Sequence, residues 1–253
     1  MAHNVPQCHY YGTILDRAQA AREGKRGRGV SRICESVYRV GGAGMSDHRD
    51  CLVYLIDLGD PVLVDCGLGP GWDRVGDNIR DTGFDPGELA ALVLTHCHVD
   101  HVGAAAGLRR DTGCLVIAHE LDRAAIESGD PVMTAAAWYG VECAPCPVDE
   151  VVAGQSRVLS FAAGELVLLH VPGHTPGSMV AVFDNDAGER VLFGQDVHGP
   201  FSPDFGSDRA LWRRGMADLL ALEADILCEG HYGVFRGRDR VREFIEEQLS
   251  LNP

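Results

Sequence analysis

Four side chains able to bind a metal crowd into a short stretch of this chain: His96, His98, Asp100 and His101, in the run Thr95-His96-Cys97-His98-Val99-Asp100-His101-Val102-Gly103. The apolar Leu92-Val93-Leu94 lies directly upstream; short and bounded, it reads as a buried strand. Alternate side chains of a strand end share a face, so His96 and His98 can point at one centre. Asp100 and His101 follow where the chain would turn into a helix, which aims them at a neighbouring point. Neutral imidazole and carboxylate suit zinc, iron, nickel or copper better than calcium or magnesium. A polar loop whose histidines cluster by chance is the bland alternative. Three imidazoles and an aspartate at this spacing favour the metal site.

A metal held there needs further ligands at other strand ends, and three residues have that context. His174 lies in Val171-Pro172-Gly173-His174-Thr175-Pro176-Gly177-Ser178, where Pro and Gly fix a tight loop. Asp196 ends Val191-Leu192-Phe193-Gly194-Gln195-Asp196, and His231 follows Ile226-Leu227-Cys228-Glu229-Gly230. Each shows an apolar strand, then glycine, then the candidate ligand, which is how rigid elements present side chains at a sheet edge. His3, His9, His48, His119 and His170 lack this context and read as structural or exposed. His198, in Asp196-Val197-His198-Gly199-Pro200-Phe201, is either a substrate contact or a loop histidine bonded to backbone. The lone CxxC, Cys143-Ala144-Pro145-Cys146, has no second pair beside it and reads as a loop coincidence.

The elements that must position these residues follow from the pattern. Strand signals begin near Ile33. Segments 36–40, 51–56 and 61–64, joined by short turns, predict an antiparallel meander ending in Asp65-Cys66-Gly67. Residues 76–82, a short piece after Asp85-Pro86, and 102–110 read as helical; 114–118 reads as a strand and 120–127 as a helix. From 119 to 155 the pattern loosens around Met133, Trp138 and Tyr139, which form either a substrate-pocket wall or plain core packing. Strand signals return at 157–161, 165–171, 179–183 and 190–193. Trp212, Met216, Leu219, Leu220 and Glu223 fall at helical spacing, 226–228 is a short buried strand, and Val241, Phe244, Ile245 and Leu249 stripe a C-terminal helix. Residues 1–30 read as an N-terminal extension or arm with a basic, glycine-rich break at 24–29. No linker divides 31–253, so one domain is expected: an α/β (α+β) chain with two sheets face to face and helices outside.

Composition bounds the function. Hydrophobic residues at 45% and charged residues at 23% are ordinary for a globular chain able to bury a substantial core. A net charge of −15 repels phosphate backbones, so nucleic acid is not expected as a general partner. No apolar run reaches about 18 residues, so no membrane span is expected. The first residues, Met1-Ala2-His3-Asn4-Val5-Pro6, lack the apolar core of a secretory signal. Nine cysteines without a regular framework point to reduced thiols and a cytoplasmic location.

Taken in order, the histidine-aspartate run with His174, Asp196 and His231 resembles the metallo-β-lactamase-fold hydrolase superfamily, over about residues 33–245. The resemblance implies a four-layer αβ/βα sandwich of two mixed β-sheets, helices on the outer faces and two metals at one edge. It implies that His96, His98 and His174 hold the first metal and Asp100, His101 and His231 the second, with Asp196 bridging them. Asp65 would support the site without ligating. The expected cofactors are two divalent ions, zinc first, with iron or manganese as alternatives. His98 stands where the diiron branches usually carry Glu, so the chain is more similar to the hydrolytic branch. The secreted β-lactam enzymes usually lack the Asp100-His101 pair, which disfavours antibiotic hydrolysis as the primary role.

The expected reaction is hydrolysis of a small ester, lactone or thioester, with Asp100 orienting the attacking hydroxide and carrying its proton. Size and ligand order are similar to acyl-homoserine lactonases, which usually place a tyrosine shortly after the bridging aspartate; here His198 stands in that neighbourhood. Glyoxalase II-like thioesterases carry an added C-terminal helical region, and only residues 232–253 follow His231 here. A mononuclear-iron persulfide dioxygenase of the same superfamily, working through His96, His174 and Asp196, is the main alternative; a small phosphodiesterase is another. Expected substrate contacts are His198, Trp138, Tyr139 and Phe201, with Met133 and Phe205 in the same apolar patch. The partner is a small molecule, and the N-terminal arm would suit a homodimer.

Overall fold

The computed structural model describes residues 30–253. The extension read over 1–30 lies, apart from Val30, outside the described residues, as do His3 and His9. Alternation along the strands decides the architecture. In β4 (Pro61–Val64), Val62 and Val64 face one apolar cluster while Leu63 faces another; β5 (Ala91–Val93) sets Ala91 and Val93 against Leu92 in the same way. Strands β10 (Met179–Asp184) and β12 (Ile226–Glu229) do likewise, with Met179, Ala181, Ile226 and Cys228 on one side and Val180, Val182 and Leu227 on the other. Strands apolar on both faces must be covered on both, and that calls for a sheet inside and helices outside.

The first sheet runs in sequence order: β1 (Ser31–Cys34), β2 (Val37–Arg39), β3 (Tyr54–Asp57), β4, β5, β6 (Leu115–His119) and β7 (Glu150–Val152). Strands β1 to β4 pair antiparallel, as the predicted meander, and β4 to β7 pair parallel. The second sheet has the order β13 (Val234–Arg236), β12, β11 (Arg190–Gln195), β10, β9 (Gly164–His170), β8 (Ser156–Phe161). Within it only β11 and β12 pair parallel. Both sheets are therefore mixed.

Their inner faces meet in a cluster that includes Ile56, Val62, Val93, Leu166, Met179 and Phe193. Outside the first sheet lie α1 (Trp72–Asp81), α2 (Val99–Val102), α3 (Ala105–Thr112) and α4 (Glu120–Ser128), which bury Ile79, Val99, Leu108 and Ile126 against it. Outside the second lie α6 (Arg209–Ala221) and α7 (Arg238–Leu251), with Trp212, Met216, Phe244 and Ile245 facing inward. Truncating a fully buried leucine such as Leu108 to alanine costs about 2–5 kcal/mol. The result is the expected four-layer αβ/βα sandwich. No helix among the described residues is long and apolar enough to cross a membrane.

Three elements carry no sequence signal: α5 (Ala136–Tyr139), β7 and β13. The predicted strand 51–56 is shorter than its pattern, and its first half has left the ladder for a reason. The backbone N–H groups of Cys51 and Leu52 donate to Asp100 O and Gly230 O, so this segment pins two site loops instead of extending β3.

Candidate metal centre

The candidate ligands leave strand ends on one edge of the sandwich. Residues 95–98 follow β5 and lead into α2, 171–178 join β9 to β10, Asp196 follows β11, and His231 follows β12. Met179 N donates to Thr95 O at 2.8 Å, tying the loop of one sheet to that of the other.

The side chains gather into two groups. His174 Nε2 lies 3.2 Å from His96 Nε2 and 2.9 Å from His98 Nδ1. His101 Nε2 and His231 Nε2 lie 3.3 Å apart, with Asp100 Oδ2 at 3.3 Å from His231 Nε2 and 3.8 Å from His101 Nε2. Asp196 turns one oxygen to each group. Its Oδ2 stands 3.6 Å from His174 Nε2 and 4.0 Å from His96 Nε2, and its Oδ1 stands 3.1 Å from His101 Nε2 and 3.3 Å from His231 Nε2.

Bonds behind the rings decide which nitrogens carry protons. His174 Nδ1 faces Pro200 O at 2.8 Å, an acceptor only, so that nitrogen donates. His101 Nδ1 donates to Asp65 Oδ2 at 2.8 Å. Thr95 Oγ1 gives its one proton to Asp65, so the His96 Nδ1 beside it at 3.1 Å is again the donor. In the neutral His96 and His174 rings Nε2 then offers a lone pair inward. The lone pairs of His96 and His174, converging at 3.2 Å, repel one another unless a proton or a cation stands between them. Burial pushes His96 and His98 well below the ordinary histidine value and His174 to about 4, so protons do not fill the first group near neutral pH.

The second group carries the opposite demand. Burial disfavours charge on His231, yet Asp196 and then Asp100 outweigh it and hold the ring well above its ordinary value. Burial alone would raise the Asp100 carboxyl; His101 and His231 overcome it and hold Asp100 in the ionised form. Asp196 Oδ1 is buried without a hydrogen bond. Inward lone pairs, an orphaned carboxylate oxygen and two anionic side chains fit divalent cations, and nitrogen with oxygen donors suits zinc-like ions. His96, His98, His174 and Asp196 form one such group, and Asp100, His101 and His231 another.

Asp65 adopts φ 58°, a left-handed conformation that costs about 1–3 kcal/mol away from glycine. Its carboxylate accepts from Thr95 N, Thr95 Oγ1 and His101 Nδ1, which places it behind both groups without joining either. Gln195, at φ 45°, accepts from Asp196 N with its own side-chain Oε1 at 2.7 Å.

His198 is held by a carboxylate, not by backbone. Its Nδ1 donates to Glu229 Oε1 at 2.7 Å, and its ring centroid lies 5.4 Å from that of His231. Glu229 is fully buried, and its Oε2 takes the backbone N–H groups of His231 and Tyr232 at 2.6 and 2.7 Å. Sequence reasoning missed Glu229; its one signal is an acid at an apolar strand end two residues before a ligand.

Phe205 stacks edge-on against His98 with centroids 4.4 Å apart, and Trp138 meets Phe205 at 5.2 Å. Phe201 lies 6.5 Å from His174 and packs on Trp212. Tyr139 and Met133 pack instead against the core outside the first sheet. His119 and His170 stack on one another at 3.8 Å, and the His48 side chain is exposed. Cys143 and Cys146 are buried and unbridged, and burial raises both thiols, Cys146 to about 11.

A family model, the metallo-beta-lactamase superfamily, matches residues 47–231, and this chain belongs to that superfamily. A ribonuclease of Thermus thermophilus is 32% identical over 210 residues, 76% of this chain and 44% of the relative. The hydroxyacylglutathione hydrolase GloC of Haemophilus influenzae is 29% identical over 154 residues, 58% of this chain and 70% of the relative. The chain spans 44% of that ribonuclease and 60% of an uncharacterized protein of Aquifex aeolicus, about half the length of such relatives. A native metallo-β-lactamase from Legionella gormanii shares the fold with a TM-score of 0.75 at 18% identity, over 88% of this chain and 93% of that one.

Proposed function

We propose that the chain is a dinuclear metallohydrolase that cleaves a small ester-type bond, with a thioester or lactone as substrate and zinc as the first-choice metal. The observation that carries this reading is the division of Asp196, one carboxylate oxygen to each histidine group. His96, His98 and His174 would hold one ion, Asp100, His101 and His231 the other, and Asp196 both. When bound, such a pair supplies Lewis acidity and an acidified water at neutral pH.

The protein's own groups supply the rest. Asp100, kept ionised, orients the attacking water and takes up its proton. As the water oxygen bonds to the acyl carbon and the carbon–sulfur or carbon–oxygen bond breaks, that proton passes to the leaving atom, giving an acid and a thiol or alcohol. Trp138, partly exposed and edge-on to the fully buried Phe205 that backs His98, offers the apolar surface where the acyl group packs. His198, fixed by Glu229, has a second nitrogen free of that bond and contacts the substrate from the His231 side.

The hydroxyacylglutathione hydrolase relatives support the thioester choice. The ribonuclease relative favours a second reading, phosphodiester cleavage. A net charge of −15 opposes long RNA and would confine that reading to a small phosphodiester. A mononuclear dioxygenase would leave Asp100, His101 and His231 without work, although they converge as closely as the first group. Metal analysis with a panel of thioesters, lactones, aryl esters and phosphodiesters is the test. About two ions per chain with thioester or lactone turnover is the expected result; one iron per chain with oxygen uptake on a persulfide would replace it.

A further inference from the structure

Asp122 lies in the first turn of α4, 1% exposed and outside both histidine groups. Its carboxylate collects three hydrogen bonds from two loops. Oδ2 accepts from Cys97 N at 2.9 Å and from Thr175 Oγ1 at 2.6 Å, and Oδ1 accepts from Gly177 N at 2.7 Å. Cys97 stands between His96 and His98, and Thr175 directly follows His174. One carboxylate from a helix outside the first sheet therefore clamps the first-sheet loop that carries two ligands and the second-sheet loop that carries the third.

The approach is built for this contact. A Cβ on Gly177 would stand 2.6 Å from Asp122 Cγ, so only glycine lets the loop come so close. The protons also balance. Ser178 Oγ accepts from Thr175 N at 3.0 Å and lies 2.8 Å from Thr175 Oγ1. Since the Thr175 hydroxyl gives its proton to Asp122, Ser178 donates to Thr175, and every donor has an acceptor.

We infer that Asp122 is a positioning residue for the His96, His98 and His174 group, setting that group's affinity for its cation and leaving the other group's unchanged. This rests on the metal-site reading above. Three imidazoles drawn from two sheets hold a common focus only if the two loops are tied together, and a charged acceptor shared by both loops is a strong tie. The second group is held elsewhere: His101 by Asp65, and the His231 backbone by Glu229. Asparagine is no substitute, because its amide nitrogen would face an N–H or hydroxyl donor.

The test loads wild type, Asp122→Asn, Thr175→Val and Thr175→Ser with Co(II) or Zn(II) and titrates each against a chelator. The visible spectrum of Co(II) follows geometry, and Tm is measured separately. His231→Ala, which removes a ligand of the other group, assigns the two release steps. Asp122→Asn is expected to give up the first-group ion at about 10–100-fold lower chelator, with the other step unmoved. Thr175→Val should shift the same step by less, and Thr175→Ser should restore it. A folded Asp122→Asn with both steps at wild-type positions and only a lower Tm overturns the inference, as does an equal shift of both steps. If Asp122→Asn does not fold, identical release from Thr175→Val and Thr175→Ser overturns it instead. A wild type that holds no ion at the first group sinks the metal-site reading before any variant is compared.

Discussion

Asp65 Oδ2 stands 2.8 Å from His101 Nδ1, and this bond orients the ring so that its Nε2 meets Asp196 Oδ1 at 3.1 Å. The same carboxylate takes the Thr95 hydroxyl, which in turn receives His96 Nδ1–H. One residue in a left-handed conformation thus sets the tautomer of a histidine in each group. Asp65→Asn would bring an amide donor against one of these donors. Its expected effect is a loss of about 10–100-fold in metal affinity with little change in secondary structure, read by chelator competition and circular dichroism. Wild-type affinity in this variant would mean the tautomers are set by something else.

Gly230 is a second point of high sensitivity. A Cβ there would stand 2.4 Å from Asp196 Oδ1 and 3.2 Å from His101 Cε1. Gly230→Ala must therefore displace the carboxylate that faces both groups. Metal content and turnover are each expected to fall at least about tenfold while the chain stays folded. A Gly230→Ala protein with full metal content would show that Asp196 has room the structure does not give it.

Trp138 is 37% exposed and packs edge-on against Phe205, which in turn lies against His98. On the proposed reading, a side chain so placed would bind the ground state and the transition state alike. Trp138→Ala is expected to raise KM about tenfold for substrates with apolar acyl groups, with kcat within about twofold and no effect on small polar esters. Steady-state kinetics on a graded acyl series decides this. A drop in kcat with unchanged KM would place the acyl group elsewhere.

Much of the centre is legible in the sequence because its ligands obey a local rule. His96, Asp196 and His231, as candidate ligands, each follow a short apolar run that reads as a buried strand, and the parallel β11 and β12 deliver Asp196 and His231 from their C-terminal ends to one edge. The two sheets are legible for the same reason, since residues such as Val62, Leu63 and Val64 must be covered on both sides. Asp122 and Glu229 are not legible. A buried carboxylate and a surface one are the same letter, and only the loops folded over them show where they sit. Strands β7 and β13, at three residues each, are too short for a period to register. Tyr139 and Trp138 are neighbours in one apolar patch, and a single helical turn sends one to the core and the other toward Phe205.

His119, stacked on His170, gives the fold a pH dependence of its own. Both nitrogens of His119 are used in the neutral form: Nδ1 accepts from Leu121 N at 3.3 Å and Nε2 donates to Gly154 O at 3.2 Å. His170 Nε2 donates to Pro176 O at 2.8 Å. Burial and then the facing His170 ring pull His119 below its ordinary value, against the hydrogen bond to Gly154 O and the attraction of Asp122 and Glu120. In the unfolded chain His119 titrates near about 6.5. Between that value and the lower folded one the unfolded chain binds more protons, so stability is fully present above about 6.5 and is lost as pH falls below it. His119→Phe keeps a ring against His170 but cannot titrate. Chemical denaturation from about pH 7.5 to 5 should show a shallower decline in the variant than in the wild type, on a lower plateau from the two lost hydrogen bonds, about 1–2 kcal/mol. Parallel declines would show that His119 takes up its proton as readily in the folded chain as in the unfolded one.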